Sequence, residues 1–160
     1  MASTVLRARL DFGFSVTEDH GGAPSGLAIE SPFTLFTDSL PMLPTDTPPA
    51  ALLSLYKSTI SGGGYTIDLT AAQGSNGNVN ASGKRIQAIR ASNPSASTGN
   101  VTIATGASNG RAIPASIVVP PGGETLVFYN DYGMDIDATH KTLDISGTNG
   151  DVPEIGILLG

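Results

Sequence analysis

The chain of 160 residues has no cysteine and no tryptophan. Without thiols it has neither disulfides nor thiolate metal sites, so an apolar core must hold it together. This is compatible with a cytosolic origin. Charge is scarce as well: 14% of residues are charged, where an average chain has about a quarter. Basic residues are the scarcer sign, 8 Lys plus Arg against 14 Asp plus Glu, for a net charge of -6 and a pI near 4.6. Broad electrostatic binding to nucleic acid needs clustered Lys and Arg, so no direct nucleic-acid partner is expected. Arg7 with Arg9, and Lys84 with Arg85 and Arg90, are two small basic spots that read as solvated strand faces. No uncharged apolar run approaches the roughly 20 residues that cross a bilayer. VLRARLDF carries charges where a leader would be apolar. The expectation is therefore no membrane partner, and assembly in the cytoplasm.

Turn formers are abundant, with 20 Gly and 11 Pro. From Tyr65 onward they punctuate short alternating segments: YTIDLT, KRIQAIRAS, NVTIAT, ASIVV, ETLVFY, MDIDA, TLDIS and EIGILL. Each segment predicts a strand, and each break a turn. Pro120-Pro121-Gly122-Gly123 predicts a hairpin between two of them, and Asn93-Pro94 opens another turn. Residues 71–83 read as a long polar loop. The register of KRIQAIRAS is ambiguous, because Ile86 and Ala88 fit one face while Ile89 and Ala91 fit the other. Strand spacings of roughly 8–14 residues are those of a sandwich or jelly roll.

The first sixty residues differ. Residues 5–16, VLRARLDFGFSV, alternate with Leu6, Ala8, Leu10, Phe12, Phe14 and Val16 on one face. Arg7, Arg9, Asp11, Gly13 and Ser15 take the other. A period of two predicts a strand that buries one face and wets the other. Its distance from the main strand run makes it a candidate arm that pairs with the body or with a neighbouring subunit. GLAIES reads as a short strand, and SPFTLFTDSL follows with Phe33, Leu35 and Phe36 as inward candidates. PMLPTDTPPA reads as an extended connector, since proline fixes φ and lacks a donor. PAALLSLYKS, residues 49–58, is the one helix candidate, with Pro49 in the first turn and Thr47 as a cap. The expected architecture is all-β: an antiparallel β-sandwich or jelly-roll-like domain over residues 61–160. An extended N-terminal arm and Pro-rich connector occupy residues 1–60, with at most one short helix.

Chemistry is thin. The histidines are His20 and His140, both in turn-like stretches, and neither lies in a nucleophile context. No catalytic residue and no cofactor is expected. Asp131, Asp135 and Asp137 form the densest acidic cluster, the last two on one face of an expected strand. They are weak candidates for a hard cation, which takes several oxygen ligands. Gly62-Gly63-Gly64 lacks the Lys-Ser/Thr of a phosphate loop. The sequons at Asn80 and Asn100 read as chance. Tyr129 and Tyr132, with Tyr65, are the rings that a carbohydrate-stacking platform would use.

The phrases YTIDLTAAQGSNGNVNASGKRIQAIRASNPS, NVTIATGASNG, IVVPPGGETLVFYND and TLDISGTNGDVPEIGILLG run through residues 65–160. In this stretch the chain resembles small virion proteins of tailed bacteriophages. That resemblance implies a non-enzymatic β-sandwich subunit of the virion, a head decoration or cement protein that binds the capsid surface and bridges its subunits. Its partner would be the major capsid protein or another virion protein, and it would be a homo-oligomer, trimer or dimer. An extended arm can add to a neighbour through main-chain hydrogen bonds. Leu6, Leu10, Phe12 and Phe14, flanked by Arg7 and Arg9, are the expected contact residues. The competing expectations are a tail, baseplate or neck component, and a carbohydrate- or receptor-binding sandwich module. A hydrolase would need an acid/base pair, and loss of activity on changing His140 or Asp135 would be required to support one.

Overall fold

The computed structural model describes residues 8–18, 31–42, 52–74, 77–129 and 135–160. They form an antiparallel β-sandwich of two four-stranded sheets. Leu52–Lys57 (β3), Ile86–Ser92 (β7), Glu124–Phe128 (β10) and Glu154–Leu159 (β12) make the first sheet, in the order β10-β7-β12-β3. Gly64–Asp68 (β4), Val101–Thr105 (β8), Ile117–Val119 (β9) and Thr142–Ser146 (β11) make the second, in the order β4-β11-β8-β9.

Alternation builds the core. Ile89 and Ala91 of β7, with Ile155 and Ile157 of β12, are buried on the inner face of the first sheet. Ile67, Ile103, Leu143 and Ile145 do the same for the second. Each such side chain contributes roughly 1.5–3 kcal/mol on burial. These β-branched and leucine residues suit a pleated surface, so propensity and burial agree along these strands.

Where the sequence register was ambiguous, the chain has a β-bulge. Leu158 pairs with Ala88, yet Leu159 pairs with Ile86. The extra residue, Gln87, lets Ile86 rejoin the core face that Ile89 and Ala91 occupy.

Four expectations are corrected. The helix candidate is an edge strand: β3 pairs with β12 from Leu52↔Leu159 to Lys57↔Glu154. Ser54 and Tyr56 are buried while Leu55 and Lys57 are exposed, a period of two. The open edge of β12 outweighs the local helical preference, so the sandwich starts at Leu52.

The turn at Pro120–Gly123 forms, but it does not close a hairpin. Gly123 N donates to Pro120 O (2.8 Å) and Gly122 takes a φ of 72°, the type II arrangement with Pro121 at its second position. Type II turns splay their flanking strands. β9 accordingly stays on β8 and β10 crosses to β7.

The polar stretch 71–83 contains a short antiparallel pair, Ala72–Gly74 (β5) with Gly77–Val79 (β6). Segment 135–138 is not a strand: Ile136 enters the core alone, and the Asp137 side chain bonds the following backbone in place of a ladder.

The N-terminal strand runs over Ala8–Glu18 (β1), and its partner is close in sequence: Ser31–Met42 (β2). The two form their own two-stranded sheet. Leu10 lies opposite Leu40, Phe12 opposite Asp38, Phe14 opposite Phe36 and Val16 opposite Phe33. The ladder shifts between Phe14 and Ser15, and Leu35 is the extra residue. That shift keeps Phe33 in the register row of the apolar β1 positions. One face of the ribbon is therefore apolar by register through its middle, with Asp38 and the terminal Glu18 its charges. The opposite register row runs through Arg9, Asp11, Gly13 and Ser15. Leu6 and Arg7, the GLAIES segment and most of the proline-rich connector lie outside the described residues.

Candidate interaction surface

The polar side chains at the ends of the sandwich are engaged in holding the chain in place. Asp137 Oδ1 accepts from Thr139 N (2.7 Å), His140 N (2.8 Å) and the Thr139 hydroxyl (2.9 Å). His140 Nδ1 sits 3.1 Å from the same oxygen. The Thr139 amide first, then the imidazole and the Thr139 hydroxyl, hold the Asp137 carboxyl well below the usual carboxylate range. This is an exposed Asx turn with a histidine folded back on it. Asp135 instead meets Arg85 at 2.7 Å. The two aspartates expected on one strand face thus serve different partners, and Asp131 and His20 lie outside the described residues. Among the described residues no group of three His, Cys, Asp or Glu could hold a metal ion.

Asp68 caps the short 3-10 turn Leu69–Ala71, accepting from Thr70 N (2.8 Å), and pairs with Lys141 at 2.6 Å. Burial raises its pKa, but the bonds from Lys141 and Thr70 together outweigh this and leave it lowered.

Two buried polar residues escaped the sequence reading. Asn93 donates its side-chain amide to Gly99 O (2.9 Å) and Val119 O (3.0 Å), and its backbone N–H to Gly123 O (2.9 Å). It fastens the corner where the chain changes sheets. Asp151 accepts from Thr98 N (3.0 Å) and Gly99 N (3.3 Å), while its carbonyl accepts from Ile60 N (2.8 Å). The Asn93-Pro94 turn signal was visible, but the long-range partners of both side chains were not.

Tyr129 packs partly buried against the core, and so does Tyr65, whose hydroxyl is buried with no hydrogen-bond partner among the described residues. Tyr132 lies outside the described residues.

The two outer sheet faces differ in chemistry. That of the second sheet carries Thr66, Thr102, Asp144 and Ser146, with Thr66 donating to Asp144 at 2.7 Å, and also Val118, opposite Thr102 and 54% exposed. On the first sheet, one row crosses all four strands as Leu126, Arg90, Gly156 and Leu55. Leu55 and Leu126 are 51% and 38% exposed, two of only three large apolar side chains that are exposed among the described residues. A Cβ on Gly156 would touch Leu55 Cδ2 at 3.6 Å, so Leu55 lies over this glycine. Arg90 in the same row bonds Glu124 at 2.6 Å, and Lys57 bonds Glu154 at 2.5 Å one row away. The expected basic spot is thus divided between two ion pairs, Arg85 with Asp135 and Arg90 with Glu124.

Two apolar surfaces stand out: the register face of the β1–β2 ribbon, with Leu10, Phe12 and Phe14, and the Leu55–Leu126 row of the first sheet. Comparisons with protein-family models, with curated proteins and with solved structures find no match.

Proposed function

We propose that this chain is a non-enzymatic structural subunit of a virus particle, a bacteriophage head decoration or cement protein that binds the capsid surface and stabilises it by bridging subunits. The observation that carries the reading is the β1–β2 ribbon. It is a sheet of only two strands, apolar along one register face. An isolated two-stranded hairpin is marginal in water, and an uncovered apolar strand pair invites aggregation. An element of this kind is made to be covered on assembly. The sandwich supplies a body whose acids and amides are occupied in fastening loops, which suits a building block better than a reaction centre. The resemblance of residues 65–160 to phage virion proteins supplies the kind of particle. A tail, baseplate or neck position in the same particle is the second reading, and the ribbon serves it equally.

Leu10→Asp together with Phe12→Asp puts two charges into the apolar register face. Binding of full-length protein to particles lacking it, followed by co-sedimentation, tests the role. The expected result is loss of at least nine-tenths of the bound protein, because burying unpaired charge is costly. Undiminished binding would show that this face stays wet on the particle.

A further inference from the structure

We infer that Asn109 is a site of spontaneous deamidation in the folded protein, while Asn149, in the same dipeptide, is locked against it. The inference concerns the sandwich alone and stands apart from the assembly role.

Asparagine is a thermolabile residue. Before glycine it is especially open to deamidation, because no Cβ hinders the approach of the glycine nitrogen to the side chain. The chain has three such pairs: Asn76-Gly77, Asn109-Gly110 and Asn149-Gly150. Asn76 lies outside the described residues. Asn109 and Asn149 are both exposed and both in turns, and they differ in what holds them.

Both reacting groups of the Asn149 pair are engaged. Asn149 Oδ1 accepts from Gly63 N (2.8 Å), and Gly150 N donates to Ile60 O (2.9 Å). Ile60 is buried, and its own N–H donates to Asp151 O (2.8 Å). Before Gly150 N can attack, two hydrogen bonds must open. Two bonds of ordinary strength lower the population of the reactive arrangement by a factor of roughly 30.

The Asn109 pair has neither restraint. Among the described residues the Asn109 side chain makes no hydrogen bond, and Gly110 N donates none. The bonds of this turn run through other atoms. Asn109 O accepts from Lys141 N (2.7 Å) and Thr142 N (3.0 Å), and Arg111 N donates to Thr142 O (2.8 Å). Asn109 takes a φ of 51°, in the left-handed region where asparagine is enriched. A Cβ on Gly110 would collide with Gly106 O and Thr105 Cγ2. The fold therefore requires glycine after this asparagine and keeps the reactive dipeptide.

The chemistry needs only water. Gly110 N loses its proton and bonds Asn109 Cγ. The Cγ–Nδ2 bond breaks, ammonia leaves with that proton, and a succinimide remains. Water opens the ring to aspartate when the bond from Gly110 N to Cγ breaks. It gives isoaspartate when the bond from Gly110 N to the main-chain carbonyl carbon breaks. Either product adds one negative charge to a chain already at -6. Isoaspartate also adds a methylene to the main chain, in a turn where Gly110 is already packed against Gly106 O.

Peptide mapping by mass spectrometry of the full-length protein, aged in mildly alkaline buffer, tests the claim. Tryptic cleavage after Lys57, Lys84, Arg90, Arg111 and Lys141 puts each Asn-Gly pair on its own peptide. The same ageing in guanidinium chloride gives the rates without the fold, and there Asn109 and Asn149 are expected to convert alike. In buffer Asn109 is expected to convert at least tenfold faster than Asn149. Folded-state rates within threefold of each other overturn the proposal. So does an Asn109 that stalls beside Asn149 while the denatured chain converts.

Discussion

At the scale of single residues, buried polar groups decide most of what can be measured. The Tyr65 hydroxyl is desolvated without a partner among the described residues, and burial first, then the neighbouring Tyr56, pushes its pKa up to about 12. Tyr65→Phe removes a group that contributes no bond, so thermal or urea unfolding should show a change between zero and about 1 kcal/mol of added stability. A loss of more than about 1 kcal/mol would reveal a partner for the hydroxyl. Because the folded state holds the neutral phenol, the wild-type protein should lose stability as pH climbs from 10 toward about 12. The phenylalanine variant should lose less.

Asp68 has the opposite sign. Its folded pKa lies below the ordinary 3.8, so its contribution is complete above that pH and disappears as pH falls through the lowered value. Urea midpoints should show Asp68→Asn with a shallower acid limb than the wild type. Parallel limbs would show that the Lys141 pair contributes nothing. The carboxylates themselves were visible in the sequence. Their separation into caps and pairs was not, because Asp68 meets Lys141 and Asp135 meets Arg85 across long stretches of chain.

At the scale of elements, period two carried the reading well wherever one face is buried. NVTIAT and TLDIS became β8 and β11 with the expected alternation, and EIGILL became β12, alternating until Leu158, which is buried with its neighbours. It failed where neighbours overrule local pattern. PAALLSLYKS has leucines at helical spacing, yet the unpaired edge of β12 takes Leu52–Lys57 as a strand. The proline-glycine turn was legible as a turn, but whether it returns along the same sheet or crosses to the other depends on its type and on a distant asparagine. Asn93 satisfies the carbonyls of Gly99, Val119 and Gly123 at that corner. Asn93→Ala removes the two side-chain bonds and leaves buried acceptors, so unfolding experiments should show a loss of about 2–4 kcal/mol. A change under 0.5 kcal/mol would mean that the type II turn holds the corner unaided.

At the scale of the whole molecule, the chain divides into a sandwich closed by its own side chains and a ribbon that is apolar along one register face. The sandwich class was legible because turn spacing and alternation are local properties. The pairing of β1 with β2 was not, since the bulge at Leu35 hides the shared face from a simple period-two reading of β2. The assembly role rests on that ribbon, and its setting in a phage head on the resemblance of the last 95 or so residues. Mass spectrometry of purified virus particles, separated into head and tail fractions, tests that setting most directly. The account predicts this chain at high copy in heads. Recovery only with tails would move the ribbon's work to tail assembly, and absence from both fractions would contradict the virion role outright.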